Sequence, residues 1–375
     1  MKSLIPGALF SLLVAFQFSF AALYLFTNKK GNKRNNRLLA FVFLMFSLNL
    51  LDFTARISGT IFTLPLLHLA DDCFFLLYGP VLFFYTKGVV YRDFKFRKGD
   101  SWHLFPYLAA TLFMLFALFT TNKAAQSVFA NKMAAADFPA WVPLLNLFMY
   151  AHLCMYLFFS RRAIKTYRAV IREKFSNIDK INLDWLSFML STFFAIVIAA
   201  VINALVPLFG STFMLYASAL LLLLFSFYFI NRVLFKALNQ PALFSGITHE
   251  ETEKYARSDL GPQQIEEYKS RLTAYVQANK PYLNPDLKLA DLAQAMDTTP
   301  KITSQVINQG YQQTFFDFIN TYRCEEVKRI LKGPDTKITL LEAMYAAGFN
   351  SKSSFNKEFK KLTGETPTAF RKNLS

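Results

Sequence analysis

Seven apolar segments follow one another through the first 230 residues of this chain, at 4–26, 38–57, 66–90, 104–121, 141–159, 185–208 and 213–230. Each is close to the roughly 20 residues that a helix needs to cross about 30 Å of hydrocarbon. Inside lipid every backbone N–H and C=O must be satisfied within the segment, which a helix does and an open strand does not. The first part of the chain is therefore expected to be a seven-helix transmembrane bundle. A soluble core is the alternative, and the composition speaks against it. Apolar residues make up 54%, 43 residues are Phe and only 18% are charged, far from the balance of a soluble domain. The third segment contains His68, Asp71 and Asp72, so its apolar entry point is expected near Cys73.

The apolar excess ends near Arg232, after which the chain is polar, charged and patterned for helices. Three parts follow from that shift: residues 1–235 as the transmembrane domain, 236–279 as a linker and connecting helix, and 280–375 as a soluble helical domain. The expected fold class is all-α throughout. Lys2 precedes the first segment, and Ala21 and Ala22 form a small-residue patch within it. The run is nevertheless long, and its stronger positive flank lies after it, so it reads as a retained span and not as a cleaved signal peptide.

Basic residues alternate along the loops. Lys29, Lys30, Lys33, Arg34 and Arg37 follow the first segment; Arg92, Lys95, Arg97 and Lys98 follow the third; Arg161, Arg162, Lys165, Arg168, Arg172, Lys174 and Lys180 follow the fifth. Only Lys123 and Lys132 occupy the loops between. Basic flanks stay on the cytoplasmic side, so the amino terminus is expected outside and the carboxyl terminus inside. Residues 1–235 hold 22 basic and 9 acidic side chains, against 16 and 12 after residue 261. Most of the net charge of +16 thus faces anionic lipid and is no argument for nucleic acid.

The soluble part reads as two similar units joined by a long helix. Pro262 opens a helical pattern through Ile265, Tyr268, Leu272 and Val276, either structural or a transmitter of motion from the seventh span. In the first unit LADLAQAM forms a short amphipathic helix, residues 297–299 turn it, and Pro300 starts the next helix behind a Thr299 cap. That helix is expected to bury Ile302, Val306 and Ile307 and to present Lys301, Thr303, Ser304, Gln305 and Asn308. In the second unit Thr339 and Glu342 have capping-box spacing and Gly348 supplies the turn. The helix after it places Phe355, Phe359 and Leu362 on one face. Lys352, Ser353, Asn356, Lys357 and Lys360 lie on the other. Short polar side chains interleaved with Lys suit a major-groove helix, hydroxyls and amides reaching base edges and ammonium groups neutralising phosphate. A solvated face of an ordinary helical domain has the same pattern in one unit, and its recurrence in two argues for DNA.

LADLAQAM with its following polar helix, FFDFINTYRCEEVKRIL, and GFNSKSSFNKEFKKLTGETPTAFRK together resemble the AraC/XylS family of bacterial transcription regulators over residues 281–372. The resemblance implies two helix-turn-helix units held by a linking helix, with successive recognition helices in adjacent major grooves about 34 Å apart. Carried onto this chain, the first reader is Lys301, Thr303, Ser304, Gln305 and Asn308. The second is Asn350, Ser351, Lys352, Ser353, Asn356, Lys357 and Lys360. The small-molecule-binding barrel of soluble members is replaced here by the membrane domain.

Within the spans, Asp52 and Arg56 share one helical face and His68 and Asp72 another, with Asp71 beside them. These five are candidates for sensing a small molecule or other envelope signal, and interhelical pairing is the structural alternative. The sequence contains no HExxH motif, and Cys73, Cys154 and Cys324 stand apart. No enzyme activity, metal or cofactor is expected. The expected protein is a multi-pass protein of the bacterial inner membrane with a cytoplasmic domain that binds double-stranded DNA as a homodimer, in contact with membrane lipids. The competing reading is a seven-span receptor or transporter whose tail binds a protein partner.

Overall fold

The computed structural model describes residues 5–29, 32–58, 65–120, 141–205, 212–238, 247, 260–333 and 338–374. Its architecture is all-helical, and it divides into two compact units. Residues 1–164 and 184–246 form the first; residues 165–183 and 247–375 form the second.

The first unit contains α1 (Ile5–Thr27), α2 (Lys33–Ser58), α3 (Pro65–Val90), α4 (Phe105–Thr120), most of α5 (Trp141–Lys174), α6 (Asp184–Leu205) and α7 (Thr212–Leu238). One helix occupies each of the seven apolar segments. Four stretches among the described residues are long and apolar enough to cross a membrane: Gly7–Thr27, Lys33–Ala55, Cys73–Val90 and Asp184–Ile202, with Ala217–Val233 a shorter apolar helix. Helix α1 lies on α2 through hydroxyl groups. Ser19 Oγ is 2.7 Å from Ser47 Oγ, and Ser11 Oγ donates to the Leu50 carbonyl at 3.1 Å. Such small polar side chains let two helices approach closely where apolar contact alone gives no preference over lipid. Behind them Phe18, Phe46, Phe193 and Phe229 pack ring on ring, Phe18 and Phe46 stacked with centroids 5.1 Å apart. The opposite faces are also apolar and remain uncovered, with Phe16, Phe113, Phe119 and Phe158 all more than half exposed. Asp52 is buried in α2. The side chains of Arg56, His68, Asp71 and Asp72 lie outside the described residues, as do Lys123, Lys132 and most of the linker.

The second unit is built on α8 (Pro262–Asn279), α9 (Leu289–Ala295), α10 (Pro300–Gln305) with a π-helical turn at Val306–Gly310, α11 (Phe315–Leu331), α12 (Leu340–Ala346), α13 (Lys352–Thr363) and α14 (Pro367–Leu374). Two cores form. The first gathers Leu272 and Val276 of α8 with Leu289, Leu292, Val306, Ile307, Phe315 and Phe318, so α8 is a structural member of this unit. The second gathers Cys324, Val327, Met344, Phe349, Phe355 and Phe359. Helix α11 contributes to both, which makes it the rigid strut between the two helix-turn-helix units. Leu362, expected on the buried face of α13, is 40% exposed. It lies one turn past Phe359, where the helix runs out to its Gly364 cap.

Candidate nucleic-acid interface

Both units use the same turn. After α9 the Asp297 N–H donates to the Gln294 carbonyl and the Thr298 N–H to Ala293; after α12 the Gly348 N–H donates to Tyr345 and the Phe349 N–H to Met344. These pairs are the two hydrogen bonds of a Schellman ending, in which the residue past the cap is left-handed. Asp297 has φ 51° and Gly348 φ 88°. The next helix starts behind Thr299, whose side chain accepts from the Ile302 N–H, or behind Ser351, which accepts from Ser354. The first turn is one residue shorter, because Pro300 enters directly as the first helical residue. Thr339 and Glu342 complete the expected capping box in front of α12.

Gly348 is required twice over. Its φ is unfavourable for any residue with a Cβ, and a Cβ placed there would lie 2.3 Å from the Tyr282 carbonyl oxygen. The second turn thus packs directly on the strut's neighbour at residues 281–283. Arg323 of α11 closes the same junction. It is 2% exposed, and it donates to the carbonyls of Tyr282 at 2.8 Å, Asn284 at 2.8 Å and Ser176 at 3.0 Å, and to Ser176 Oγ at 3.1 Å. Burial lowers its pKa to about 10, so it is still a cation at neutral pH. A guanidinium is suited to this task because its fixed fork of donors reaches several carbonyls at once.

The two readers differ in what surrounds them. At the second reader Asn350, just before α13, and Lys352, Ser353, Asn356, Lys357 and Lys360 on it are exposed, while Ser351 is half-buried as the helix cap. Phe355 and Phe359 anchor this helix from behind, each burial stabilising by about 1.5–3 kcal/mol. On α10 Lys301 is exposed, but Thr303, Ser304 and Gln305 are buried and Asn308 is half-buried. Thr303 is buried and lines a small pocket with Tyr268, Leu272, Met296 and Ile302, so it faces α8 and not outward. Gln305 donates to Gln309 Oε1. Ser304 and Asn308, one turn apart, both donate to Glu173 Oε2, at 3.3 and 3.1 Å.

Glu173 belongs to residues 165–183, which the sequence presents only as a basic loop, yet these residues pack with the second unit. Arg172 pairs with Asp317 at 2.9 Å and lies over the Phe316 ring. Phe175 and Lys288 form an antiparallel bridge. Ser176 donates to the Leu287 carbonyl from both its N–H and its Oγ. Asp317 also meets Lys361 of the second unit at 2.7 Å. Burial works against its ionisation, but hydrogen bonds from Lys361 and Thr314 and the charge of Arg172 hold its carboxyl below the ordinary value. For Glu173 burial dominates and raises the carboxyl above its ordinary value, the bonds from Asn308 and Ser304 opposing it. The sequence carries one signal for this residue: Glu173 is the single carboxylate in the basic run 161–174.

Residues 292–373 match the model of a family described as a helix-turn-helix domain. No curated protein and no solved structure matches the chain. The geometry of turns, caps and strut agrees with that match: residues 292–373 are similar to a helix-turn-helix domain, a family that binds DNA.

Proposed function

We propose that the chain is a membrane-tethered, sequence-specific DNA-binding transcription regulator that couples an envelope signal to transcription in one polypeptide. The exposed Lys and amide face of α13, held out from a Phe-anchored core inside the matched domain, is the observation that carries this reading. Its ammonium groups suit phosphate, and Ser353 and Asn356 between them suit base edges. Seven helices at the seven apolar segments, and apolar side chains exposed on their outer faces, support a bundle of seven spans in lipid. The alternation of basic loops supports an outside amino terminus and a cytoplasmic DNA-binding domain. Packing of residues 165–183 with the DNA-binding domain supports the same side for that loop. Membrane lipids, a second copy of the chain and an unidentified signal complete the proposed set of partners, the signal acting near Asp52, Arg56, His68, Asp71 and Asp72.

The test is salt-dependent DNA binding by full-length protein in nanodiscs, comparing wild type with the K352E/K357E double variant. Each phosphate contact contributes about 0.9 to the slope of log affinity against log salt. The double variant is expected to bind at least about tenfold more weakly with a shallower slope. Equal affinity and slope would refute DNA recognition through α13.

A further inference from the structure

We propose that residues 165–183 are an intramolecular cap on the first recognition helix, closed by Glu173, and that DNA reaches both readers only when this cap is displaced. The inference rests on the DNA-binding reading above and assigns its regulation to one contact. A recognition helix works by inserting its outer face into a groove about 12 Å wide. The end of α5 lies against that face, and a helix with its side chains is itself about 10–12 Å across, so cap and duplex compete for one space. The chemistry competes as well. Ser304 and Asn308 are the donors that α10 would turn toward base acceptors, and one carboxylate oxygen takes both.

Three further attachments make this a docked element and not a passing contact: the Arg172–Asp317 ion pair, the Phe175–Lys288 bridge and the hydrogen bonds from Arg323 to Ser176. The second reader is not covered in this way. Its Lys352, Ser353, Asn356, Lys357 and Lys360 are all exposed. The cap is covalently continuous with α5 at one end and α6 at the other, so a shift of either apolar helix would pull on Glu173 directly. This route is distinct from the linker after α7.

Full-length wild type, E173A, E173Q and K352E/K357E in nanodiscs are each titrated with a pool of random-sequence duplex DNA. Amide exchange over residues 300–310 is followed separately without DNA. E173A removes the shared acceptor and adds no positive charge. It is expected to speed exchange in α10 and to raise DNA affinity about tenfold or more, since apparent affinity scales with the open fraction. E173Q keeps an acceptor oxygen and is expected to stay near wild type. If E173A binds DNA no better than wild type while K352E/K357E binds worse, the cap is overturned and the DNA-binding reading stands. If E173A speeds exchange but weakens DNA binding, residues 165–183 are a scaffold for α10 and the cap is likewise overturned. If K352E/K357E binds as well as wild type, the DNA-binding reading fails and takes the cap with it.

Discussion

Replacing Gly348 and Gly364 by Ala, one at a time, separates two costs that the structure combines at only one of them. Both glycines end helices in the left-handed region, at φ 88° and 83°. A left-handed backbone costs an Ala about 1–2 kcal/mol, and the lower entropy of the unfolded Ala chain returns about 0.4–1 kcal/mol. At Gly364 nothing lies within 4 Å of the added Cβ, so the backbone term stands alone and G364A should destabilise by about 1 kcal/mol. At Gly348 the Cβ meets Tyr282 O at 2.3 Å and Leu283 Cα at 2.9 Å, both backbone atoms that no rotamer change can move. Forcing them apart adds about 1–3 kcal/mol, for a total of about 2–4 kcal/mol. Tyr282 O also accepts from the buried Arg323, so the shift loosens the junction that sets α13 relative to α11. Urea-dependent pulse proteolysis of the full-length chain in nanodiscs, following the C-terminal unit, measures both variants under one condition. G348A no more damaging than G364A would refute the close approach of the second turn to residues 282–283.

Two further outcomes follow from buried ionisable groups. Glu173 has a raised pKa in the docked cap and an ordinary one when released, so docking strengthens as pH falls toward the carboxylate range and weakens as pH rises through the raised value. Asp317, which faces the same site with Arg172, is held low and stays ionised across that window. Wild type should therefore lose DNA affinity on mild acidification relative to E173Q, measured by parallel titrations; identical pH profiles would count against a desolvated carboxylate. R323M removes the donor from three carbonyls, two of them buried, while keeping most of the side-chain bulk, and about 3 kcal/mol or more of stability should go with it. Pulse proteolysis indistinguishable from wild type would show that water replaces the guanidinium.

The helices were legible because each rests on a local rule. Twenty-residue apolar runs locate α1 to α7, and Thr299, Thr339, Gly348 and Pro300 mark caps and turns by chemistry that acts over a few residues. The second reader was legible for the same reason: the 3.6-residue period separates Phe355 and Phe359 from the Lys and Asn face, and among the described residues that face stays exposed. The first reader was only half legible. Periodicity places Ser304 and Asn308 away from Val306 and Ile307, but it is silent on a partner more than 130 residues earlier in the chain. Periodicity also places Thr303 outward, whereas the packing of α8 turns it inward toward Tyr268 and Leu272. Arg323 reads as one more charge on a polar helix until its three carbonyl partners, from two segments far apart in sequence, are brought around it. Non-local hydrogen bonds of this kind leave no pattern in a window of neighbouring residues.

A covered first reader and an open second one have a consequence for how the switch works. Both readers are fixed to one strut, with α11 contributing to each core and Arg323 locking the junction. Once α13 occupies a groove, α10 stands at a fixed distance from the next one, and its binding becomes intramolecular. Joining two such contacts typically raises overall affinity by about 10²–10⁴. The cap therefore need not prevent all contact with DNA. By holding Ser304 and Asn308 on Glu173 it removes one of the two readers, which leaves weak, salt-sensitive attachment through Lys352, Lys357 and Lys360. A signal that frees α10 restores the second groove and the avidity with it. The equilibrium that the apolar helices have to bias is then the docking of a single segment, held by a carboxylate, an ion pair and a few backbone bonds. Such a contact is within reach of the few kcal/mol that a bound ligand can supply differentially to two states.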